Sequence, residues 1–487
     1  MAKKIIKQKS KKSNKKNNKK TNKKNETNSE YASLCAIAPV IKDKNVFDVI
    51  HQKVEIHQKK VEYRPTDKLV FAVLGIVSGC EVIFDINRKL RVDRTLLRAF
   101  GYSKCADQSV IQDTLNASKE QNVLQMEEAL KTIWDENNLT VPILENARIE
   151  GRIETIDMDL SGMPASKKAE CSTKGYFAGE KNIHGRQLAR IVFAKTQEII
   201  SESLYPGNKT SCKAFKPMVE KMEGILGLSD ISHRKLIRFR LDAGFGTDEN
   251  IHYALWRGYH LLVKMYSGKR AKKLANSVKE WVYISPSSDN NSRQAGWITE
   301  PHRYSKTTKQ LSIRTMKDKR YQYSVLVTTD IDADIQPDDY DGRSGVPESS
   351  FCQDNQGLGN KKRRKRGFDA QRMLMLLTQL AHNLIRWIQK WMITAVEQSL
   401  EQSLPETSDN TISTDQSSPE KAIKTLKEFG MKRFVIQILC LTGKVKMKDG
   451  MLSSVFINPL YPLVSRIIIA FKALLKPYGI SVSLDEI

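Results

Sequence analysis

The sequence lacks the cysteine patterns of a disulfide framework or a structural zinc site. Its 487 residues include seven cysteines, and no two of them form a C-x-x-C pair. Disulfide-stabilised domains and zinc knuckles carry an even, closely spaced set, whereas these cysteines are odd in number and scattered. We therefore expect free thiols in a reducing compartment.

Long apolar segments and the common hydrolase motifs are also missing. The most apolar late segment, Leu463 to Leu475, is interrupted by Arg466 and Lys472, so it predicts a core helix and not a membrane span. We find no signal peptide, and a membrane partner is disfavoured. The patterns G-x-x-x-x-G-K-[ST], G-x-S-x-G and H-E-x-x-H do not occur, which disfavours nucleotide-binding and common hydrolase chemistry.

Acidic residues are in short supply relative to basic ones. The chain has 80 Lys and Arg against 55 Asp and Glu, which gives a net charge of +25. Such an excess indicates a polyanionic partner, most simply nucleic acid. Residues 1–30 are almost purely polar and basic, and we predict a disordered basic tail. This tail contacts DNA phosphates or serves only as a solubilising segment.

Periodicity predicts a helical segment followed by a mixed core. Apolar residues recur at helical spacing over residues 40–147, and we predict a helical DNA-binding domain there. Its candidate recognition element is the segment from Cys105 to Leu115, with Ser109 as a helix cap; a purely structural role is the alternative. The predicted organisation is as follows: tail 1–30, helical domain 40–147, core 148–265, β-rich insertion 266–335, second core part 336–400, linker 401–420 and basic C-terminal segment 421–487.

The core prediction depends on a change of period at Arg148. The following residues alternate, which predicts a strand with Asp157 and Asp159 on one face. Two more strands, a helix and a strand ending at Asp242 follow, an order that matches a ribonuclease-H-like core. The remaining predicted elements are a loop at Gly175–Gly185, strands at Leu188–Ala194 and Ile199–Leu204, and helices at Cys212–Leu228, Asp248–Met265 and Phe368–Leu400.

The insertion and the residues after it combine aromatic and basic side chains. Trp297 lies among cations, a composition typical of a base-stacking surface, although packing in the protein core is the more common role of a strand tryptophan. Pro347 suits the first turn of a helix, which would fix the direction of Glu348. The basic run from Lys361 to Arg366 could follow a phosphate backbone, with Arg363 and Arg364 among its cations.

Three acidic positions have contexts suited to phosphoryl transfer. They are Asp157 or Asp159 on a strand, Asp242 at a strand end before a glycine-rich turn, and Glu348 at a helix start. Two divalent cations about 3.5–4 Å apart commonly serve this chemistry, and Mg²⁺ prefers carboxylate oxygens. The residues alone leave Asp157 and Asp159 as alternatives.

These blocks resemble the DDE transposases of bacterial insertion sequences. D-M-D-L-S at Asp157–Ser161 is similar to the first motif of that family, and R-L-D-A-G-F-G at Arg240–Gly246 is similar to the second. Tyr340, Arg343 and Glu348 resemble its Tyr-Arg-Glu signature, and G-F-D-A-Q-R…L-A-H-N-L-I-R-W resembles the helix that follows. Three departures are an Arg-to-Glu gap one residue longer than usual, Asn355 where a basic residue is expected, and Ser161 for the commoner threonine.

The resemblance implies an α/β fold in which a β-rich insertion interrupts a ribonuclease-H-like core. It implies Asp159, Asp242 and Glu348 as ligands of two Mg²⁺ or Mn²⁺ ions, and Tyr340 and Arg343 as contacts to substrate phosphates. The activity implied is cut-and-paste transposition, with terminal inverted repeats and target DNA as partners. We expect a dimer on DNA in the bacterial cytoplasm, at the nucleoid. A catalytically decayed DNA-binding protein and a nuclease without strand transfer are the alternatives.

Overall fold

The protein divides into two compact units. The computed structural model describes residues 26–58, 62–177, 180–284, 292–330, 336–342, 349–402 and 418–485. Unit 1 comprises residues 1–137, 356–363 and 384–487, and unit 2 comprises residues 138–355 and 364–383. Across the described ranges, no helix combines the length and apolar character needed to cross a membrane.

Unit 1 is mainly helical and contains one small sheet. The helices before residue 138 are α1 (Ala32–Asp43), α2 (Asp48–Lys53), α3 (Pro65–Val77), α4 (Asp85–Arg88), α5 (Arg94–Ala99), α6 (Gln108–Ala117) and α7 (Glu120–Asn137). The strands are β1 (Glu26–Ser29) and, near the C-terminus, β12 (Gly443–Lys448), β13 (Met451–Ile457) and β14 (Ser481–Leu484). The later helices are α16 (Pro419–Lys427), α17 (Met431–Phe434) and α18 (Val464–Leu475).

Two predictions in unit 1 are corrected by these elements. Residues 26–29 are not part of a disordered tail, because β1 pairs antiparallel with β12 and Ser29 is buried. Residues 1–25 of that predicted tail lie outside the described residues. Helix α6 is capped by Asp107, whose carboxylate accepts the Ser109 backbone N–H, so Ser109 is not its cap. The core helix expected near the C-terminus is confirmed as α18.

Unit 2 is an α/β unit, and its elements follow the predicted order closely. Its first strands are β2 (Glu154–Pro164), β3 (Thr173–Phe177), β4 (Glu180–Phe193), β5 (Ile199–Pro206), β6 (Ile237–Leu241) and β7 (His260–Lys264). The later strands are β8 (Val282–Ile284), β9 (Arg293–Trp297), β10 (Lys309–Lys317) and β11 (Arg320–Thr328). The helices are α8 (Thr140–Glu150), α9 (Ser211–Leu226), α10 (Ile231–Arg234), α11 (Asp248–Arg257), α12 (Gly268–Leu274), α13 (Gln336–Asp341) and α14 (Ser349–Gly357). Helix α15 (Phe368–Glu401) begins in unit 2 and continues into unit 1.

The described strands of unit 2 form one ten-stranded sheet. Its order is β3-β4-β2-β6-β7-β11-β10-β9-β8, and β5 pairs with the second part of β4. Strands β2, β4 and β5 pair antiparallel in succession, whereas β6 is parallel to β2 and β7 is parallel to β6. Strands β8–β11 continue this sheet through the antiparallel pairing of β11 with β7. The strands expected at 266–335 therefore extend the sheet that carries the acidic positions.

Two predicted elements of unit 2 are wrong. The helix expected to run from Asp248 to Met265 ends at Arg257, because Gly258 adopts φ +99° and terminates it. The residues after it form β7 and pair with β6. The loop expected at Gly175–Gly185 instead contains the end of β3 and the start of β4, which pair with each other. In both places, pairing with a neighbouring strand determines the structure, and the local sequence pattern does not.

Candidate active site

A buried ion pair joins the two strands that lead to the acidic positions. Asp157 on β2 and Arg240 on β6 are direct partners across the parallel pairing. The Arg240 guanidinium donates from Nε to Asp157 Oδ1 at 2.7 Å and from Nη2 to Oδ2 at 2.7 Å. Asp157 is 0% exposed and Arg240 is 5% exposed. A bidentate pair of this kind satisfies both charges within the core, so Asp157 has a structural partner.

Asp159 and Asp242 are the next acidic positions along the same two strands. The β2–β6 pairing ends at Met158 and Leu241, and the residue after each is an aspartate. Side chains alternate along a strand, so Asp159 shares the face of Asp157, and adjacent strands lie about 4.8 Å apart. Both carboxylates are half-buried. Backbone N–H groups bond to them, from Leu160 to Asp159 and from Phe245 to Asp242.

Two glycines make the turn after Asp242 possible. A Cβ on Gly246 would lie 1.9 Å from the backbone oxygen of Lys264, a distance that no side chain tolerates. A Cβ on Gly244 would lie 2.8 Å from Ser211 Oγ and 3.1 Å from Asp242 Oδ1. The glycine-rich turn therefore allows the backbone to pass close to the Asp242 carboxylate.

Helix α13 is anchored on β6 by its acidic residues. The Asp339 carboxylate pairs with Arg238 Nη2 at 2.5 Å, and the Asp339 carbonyl accepts a hydrogen bond from Arg240. Tyr340 packs against a buried apolar cluster formed by Leu262, Ala295, Leu311, Ile313 and Leu326. A Cβ on Gly342 would lie 2.9 Å from Arg240 Nη1, so the chain leaves α13 directly beside the Asp157–Arg240 pair.

The third predicted acid and its neighbour Arg343 lie outside the described residues. Glu348 therefore has no described position, although the residues on both sides of it do. Gly342 lies against Arg240, and Ser350 accepts a hydrogen bond from Arg190 at 2.6 Å. Among the residues that the structure describes, no group of three or more His, Cys, Asp and Glu side chains could hold a metal ion.

Arg190 is the centre of a buried ionic network on the other side of β2. It is the cross-strand partner of Asp159 and is 0% exposed. Its guanidinium contacts Glu202 on β5, Asp354 on α14 at 2.6 Å, and the Ser350 hydroxyl. It also lies over the Phe351 ring, 4.3 Å from the centroid. The network therefore connects β4, β5 and the first turns of α14.

His382 completes the network from helix α15. Its Nδ1 lies 2.7 Å from Asp354 Oδ1, and its Nε2 lies 2.9 Å from the Gln197 carbonyl oxygen. Both ring nitrogens thus face oxygen atoms of neighbouring groups. The next residue, Asn383, bonds to both the N–H and the carbonyl of Ile199. The H-N pair in the sequence therefore holds α15 against the β4–β5 turn.

Burial and charge act against each other on the two carboxylates of this network. Burial alone raises the pKa of Asp354, but the His382 and Arg190 charges, together with their hydrogen bonds, lower that pKa to about 2. For Glu202 burial dominates and raises the pKa, although Arg190 opposes the shift. Asp354, which both Arg190 and His382 contact, is therefore the more firmly ionised of the two carboxylates.

The basic run at residues 361–366 divides into exposed and buried cations. Lys361 and Arg364 are exposed. Arg363 was expected among the phosphate contacts, but it is 2% exposed and donates to the backbone carbonyls of Cys80 and Glu81. This burial argues for a structural role, and we leave Arg363 out of the proposed DNA surface.

Trp297 is partly buried in the sheet. It packs against the same apolar cluster as Tyr340 and lies across from Leu311. Lys309 Nζ lies 5.7 Å from the centroid of the Trp297 ring. Trp297 therefore combines core packing with a cationic neighbour, and its predicted role in stacking on a base stays a prediction.

A more exposed aromatic group surrounds Arg314. The Arg314 guanidinium lies 4.2 Å from the Trp281 ring centroid and 4.6 Å from that of Tyr321, and Tyr323 lies next to both rings. Tyr321 is 39% exposed. These residues come from the start of β8, from β10 and from β11, so only cross-strand pairing brings them together. Sequence reasoning predicted the strands but not this cluster. The signal for it was an arginine on β10 whose paired strand β11 carries two tyrosines at alternate positions, Tyr321 and Tyr323.

The comparisons with known proteins bear on this site. Residues 150–384 match the family model described as "Transposase DDE domain". The matched region begins just before β2 and ends within α15, so it includes Asp159, Asp242 and the Arg190 network. No curated protein matches the chain.

One solved structure is similar to the chain over most of its length. It is a piggyBac transposase synaptic complex with hairpin DNA, with 12% sequence identity and a TM-score of 0.38. The similarity covers 83% of this chain and 81% of that chain. A TM-score of this size is too low to support an inference about fold or function.

Proposed function

We propose that this protein is a DNA transposase that cleaves the ends of a mobile element and transfers the 3′-hydroxyl into target DNA. The observation that carries the proposal is the position of Asp159 and Asp242 within the region that matches the transposase DDE domain model. Each lies two residues after a member of the buried Asp157–Arg240 pair, one residue beyond the end of the parallel β2–β6 pairing. Chemistry in open α/β sheets is commonly located at the carboxyl ends of the strands.

The strand order supports a ribonuclease-H-like core. In the order β5-β4-β2-β6-β7, three antiparallel strands come first in sequence, and two parallel strands then follow on the other side of β2. We assign β8–β11 as the β-rich insertion within that core, between Asp242 and Glu348. The sheet continues through these strands, so the insertion shares backbone hydrogen bonds with the core.

The donor set fits a hard divalent cation. Asp159 and Asp242 offer carboxylate oxygens, the ligands that Mg²⁺ prefers, and backbone N–H groups orient both. We propose Glu348 as the third ligand, for either two Mg²⁺ or two Mn²⁺ ions. When bound, these ions would activate a water or a 3′-hydroxyl and stabilise the leaving oxygen.

The chain's own residues would hold and orient the DNA. Tyr340, on the helix anchored by Asp339, and Arg343 would position the substrate phosphates. The exposed cations Lys361 and Arg364 would contact the DNA backbone, and contacts of this kind make binding strongly salt-dependent. The partners would be the terminal inverted repeats and target DNA, and bringing two ends together requires at least a dimer on DNA.

The first test is cleavage of labelled DNA from the element ends. Wild-type protein is compared with Asp242→Asn and Glu348→Gln in Mg²⁺ and Mn²⁺, and strand transfer into a supercoiled plasmid is scored in parallel. We expect cleavage and transfer by the wild type and neither product with the two variants. Normal cleavage by Asp242→Asn would refute the proposal.

Other outcomes separate the alternative functions. Loss of cleavage only in Asp242→Asn would mean that Glu348 is not the third acid. Cleavage without transfer, and without preference for the inverted repeats, would identify a nuclease. End binding by a wild type that never cleaves would identify a catalytically decayed DNA-binding protein.

A further inference from the structure

The ionic network around Arg190 joins strand β4 to helix α14. Arg190 on β4 is the cross-strand partner of Asp159, and it donates a hydrogen bond to Ser350. Ser350 comes two residues after Glu348 in the sequence and lies in the first turn of α14. The buried Arg190 guanidinium therefore contacts α14, the helix that follows the proposed ligand Glu348 in the sequence. Arg190 itself lies on β4, next to the strand that carries the proposed ligand Asp159.

The network costs more to bury than apolar side chains would. Arg190, Asp354 and His382 are each 0% exposed, and Glu202 is 3% exposed. Removing such charges from water is expensive, and replacing a buried ionic group with well-packed apolar residues is often neutral or stabilising. Stability alone therefore gives little reason to keep four ionisable groups at this location. Hydrogen-bonded ionic groups can fix the orientation of α14 relative to β4 better than apolar side chains can, because apolar contacts are not directional.

Each contact of the network restricts a different movement of α14. Asp354 is held by Arg190 from one side and by His382 from the other. His382 is itself fixed by the Gln197 carbonyl at the turn between β4 and β5. Ser350 is held one turn earlier in the helix. Both ends of the first turn are thus tied to β4, which leaves the start of α14 little freedom to rotate or slide.

We propose that Arg190 is a positioning residue that fixes the start of helix α14 relative to Asp159 on strand β2, with Asp354 and His382 holding Arg190 and the helix in place. The inference rests on the proposed function, in which Glu348, two residues before Ser350 in the sequence, is a metal ligand. It extends that function by adding residues that touch neither DNA nor metal.

The sharpest variant is Ser350→Ala, which removes one hydrogen bond and leaves every charge of the network in place. Asp354→Asn is a stronger, isosteric change that removes the charge between Arg190 and His382. Glu223→Gln is the matched control, because Glu223 is a buried carboxylate of the same unit that pairs with Arg257 and Arg234, and none of its described partners lies on α14. For each protein we would measure thermal unfolding, affinity for end DNA, and the single-turnover cleavage rate.

If the network positions α14, its loss should slow DNA cleavage without weakening DNA binding. Ser350→Ala should bind end DNA with wild-type affinity, melt close to the wild type and cleave about 10- to 100-fold more slowly, the usual cost of losing an outer-shell contact. Glu223→Gln should melt at a lower temperature and, in the temperature range where it is folded, cleave at the wild-type rate. If Ser350→Ala cleaves at the wild-type rate, or if both variants lose cleavage only in proportion to stability, the proposal is overturned.

Hydrogen exchange tests the positioning independently of activity. Amides of residues 350–357 should exchange faster in Ser350→Ala and Asp354→Asn than in the wild type and in Glu223→Gln. Unchanged exchange there would refute the inference even if cleavage fell. A wild type that never cleaves would refute the proposed function instead, and the exchange data would still decide whether the network holds α14.

Discussion

Replacing Asp157 and Asp159 separately should give opposite results, although the two residues lie on one face of the same strand. Asp157→Asn should destabilise the protein, because it removes the carboxylate that pairs with the buried Arg240 guanidinium through two hydrogen bonds. Asp159→Asn should leave stability nearly unchanged and abolish cleavage. The pair thus separates a structural carboxylate from a proposed metal ligand, using the same chemical change two positions apart.

The burial of the Asp157–Arg240 ion pair determines how much stability Asp157→Asn should lose. Breaking a buried pair by removing one partner costs about 3–5 kcal/mol, since the other charge is left uncompensated. Arg240 keeps its bond to the Asp339 carbonyl, so we expect the lower end, about 3 kcal/mol. A domain has only about 5–15 kcal/mol of stability in total. Asp159 is half-buried, and asparagine keeps its size and its side-chain oxygen, so the replacement should change stability by less than about 1 kcal/mol.

Urea unfolding followed by circular dichroism measures the stability of each variant, and cleavage of labelled end DNA measures its activity. We expect Asp159→Asn to cleave more than about 100-fold slower than the wild type, a larger loss than an outer-shell change produces. The reasoning fails if Asp157→Asn unfolds at the wild-type urea concentration. It also fails if Asp157→Asn retains its stability and loses cleavage, because Asp157 would then be the ligand.

Three further predictions follow from contacts described above. Gly244→Ala should lower cleavage at least about 10-fold by displacing the adjacent proposed ligand, and adding Ser211→Gly should restore stability but not cleavage, because the clash with the carboxylate remains. Trp281→Ala should weaken binding to unpaired DNA by about 1–3 kcal/mol in a fluorescence titration, whereas Trp256→Ala, a control at a tryptophan 70% exposed on helix α11, should have no effect. The low pKa of Asp354 contributes about 2 kcal/mol of stability at neutral pH that is lost as the pH falls from about 4 to 2; Asp354→Asn should lack this dependence in urea unfolding measured between pH 5 and 2.

Local patterns were sufficient to predict the strands that carry the site. Alternation placed Asp157 and Asp159 on one face of β2, and the apolar run before Asp242 predicted β6. The same alternation could not say which aspartate pairs with Arg240, because Arg240 is far away in sequence and its position depends on parallel register. The assignment of Asp157 as the partner of Arg240 therefore needed the structure.

Long-range pairing also explains what the sequence left unpredicted. A glycine in a left-handed conformation at Gly258 ends a helix whose apolar pattern continues into β7. The Arg314 cluster combines residues from three strands, so no single window of sequence contains it. The Arg190 network likewise joins β4, β5 and two helices. Each case depends on contacts that local propensity does not encode.

The pairing of β1 with β12 has a consequence for the order in which the chain is made. Glu26–Ser29 is synthesised before unit 2, whereas its partner Gly443–Lys448 is synthesised after it. At about 5–20 residues per second, roughly 20–80 s separate the synthesis of the two strands. All of unit 2 is synthesised before β12, so we expect unit 2 to fold before β1 can pair with β12. A nascent chain arrested before residue 443 should therefore protect unit 2 from protease and leave Glu26–Ser29 open to cleavage.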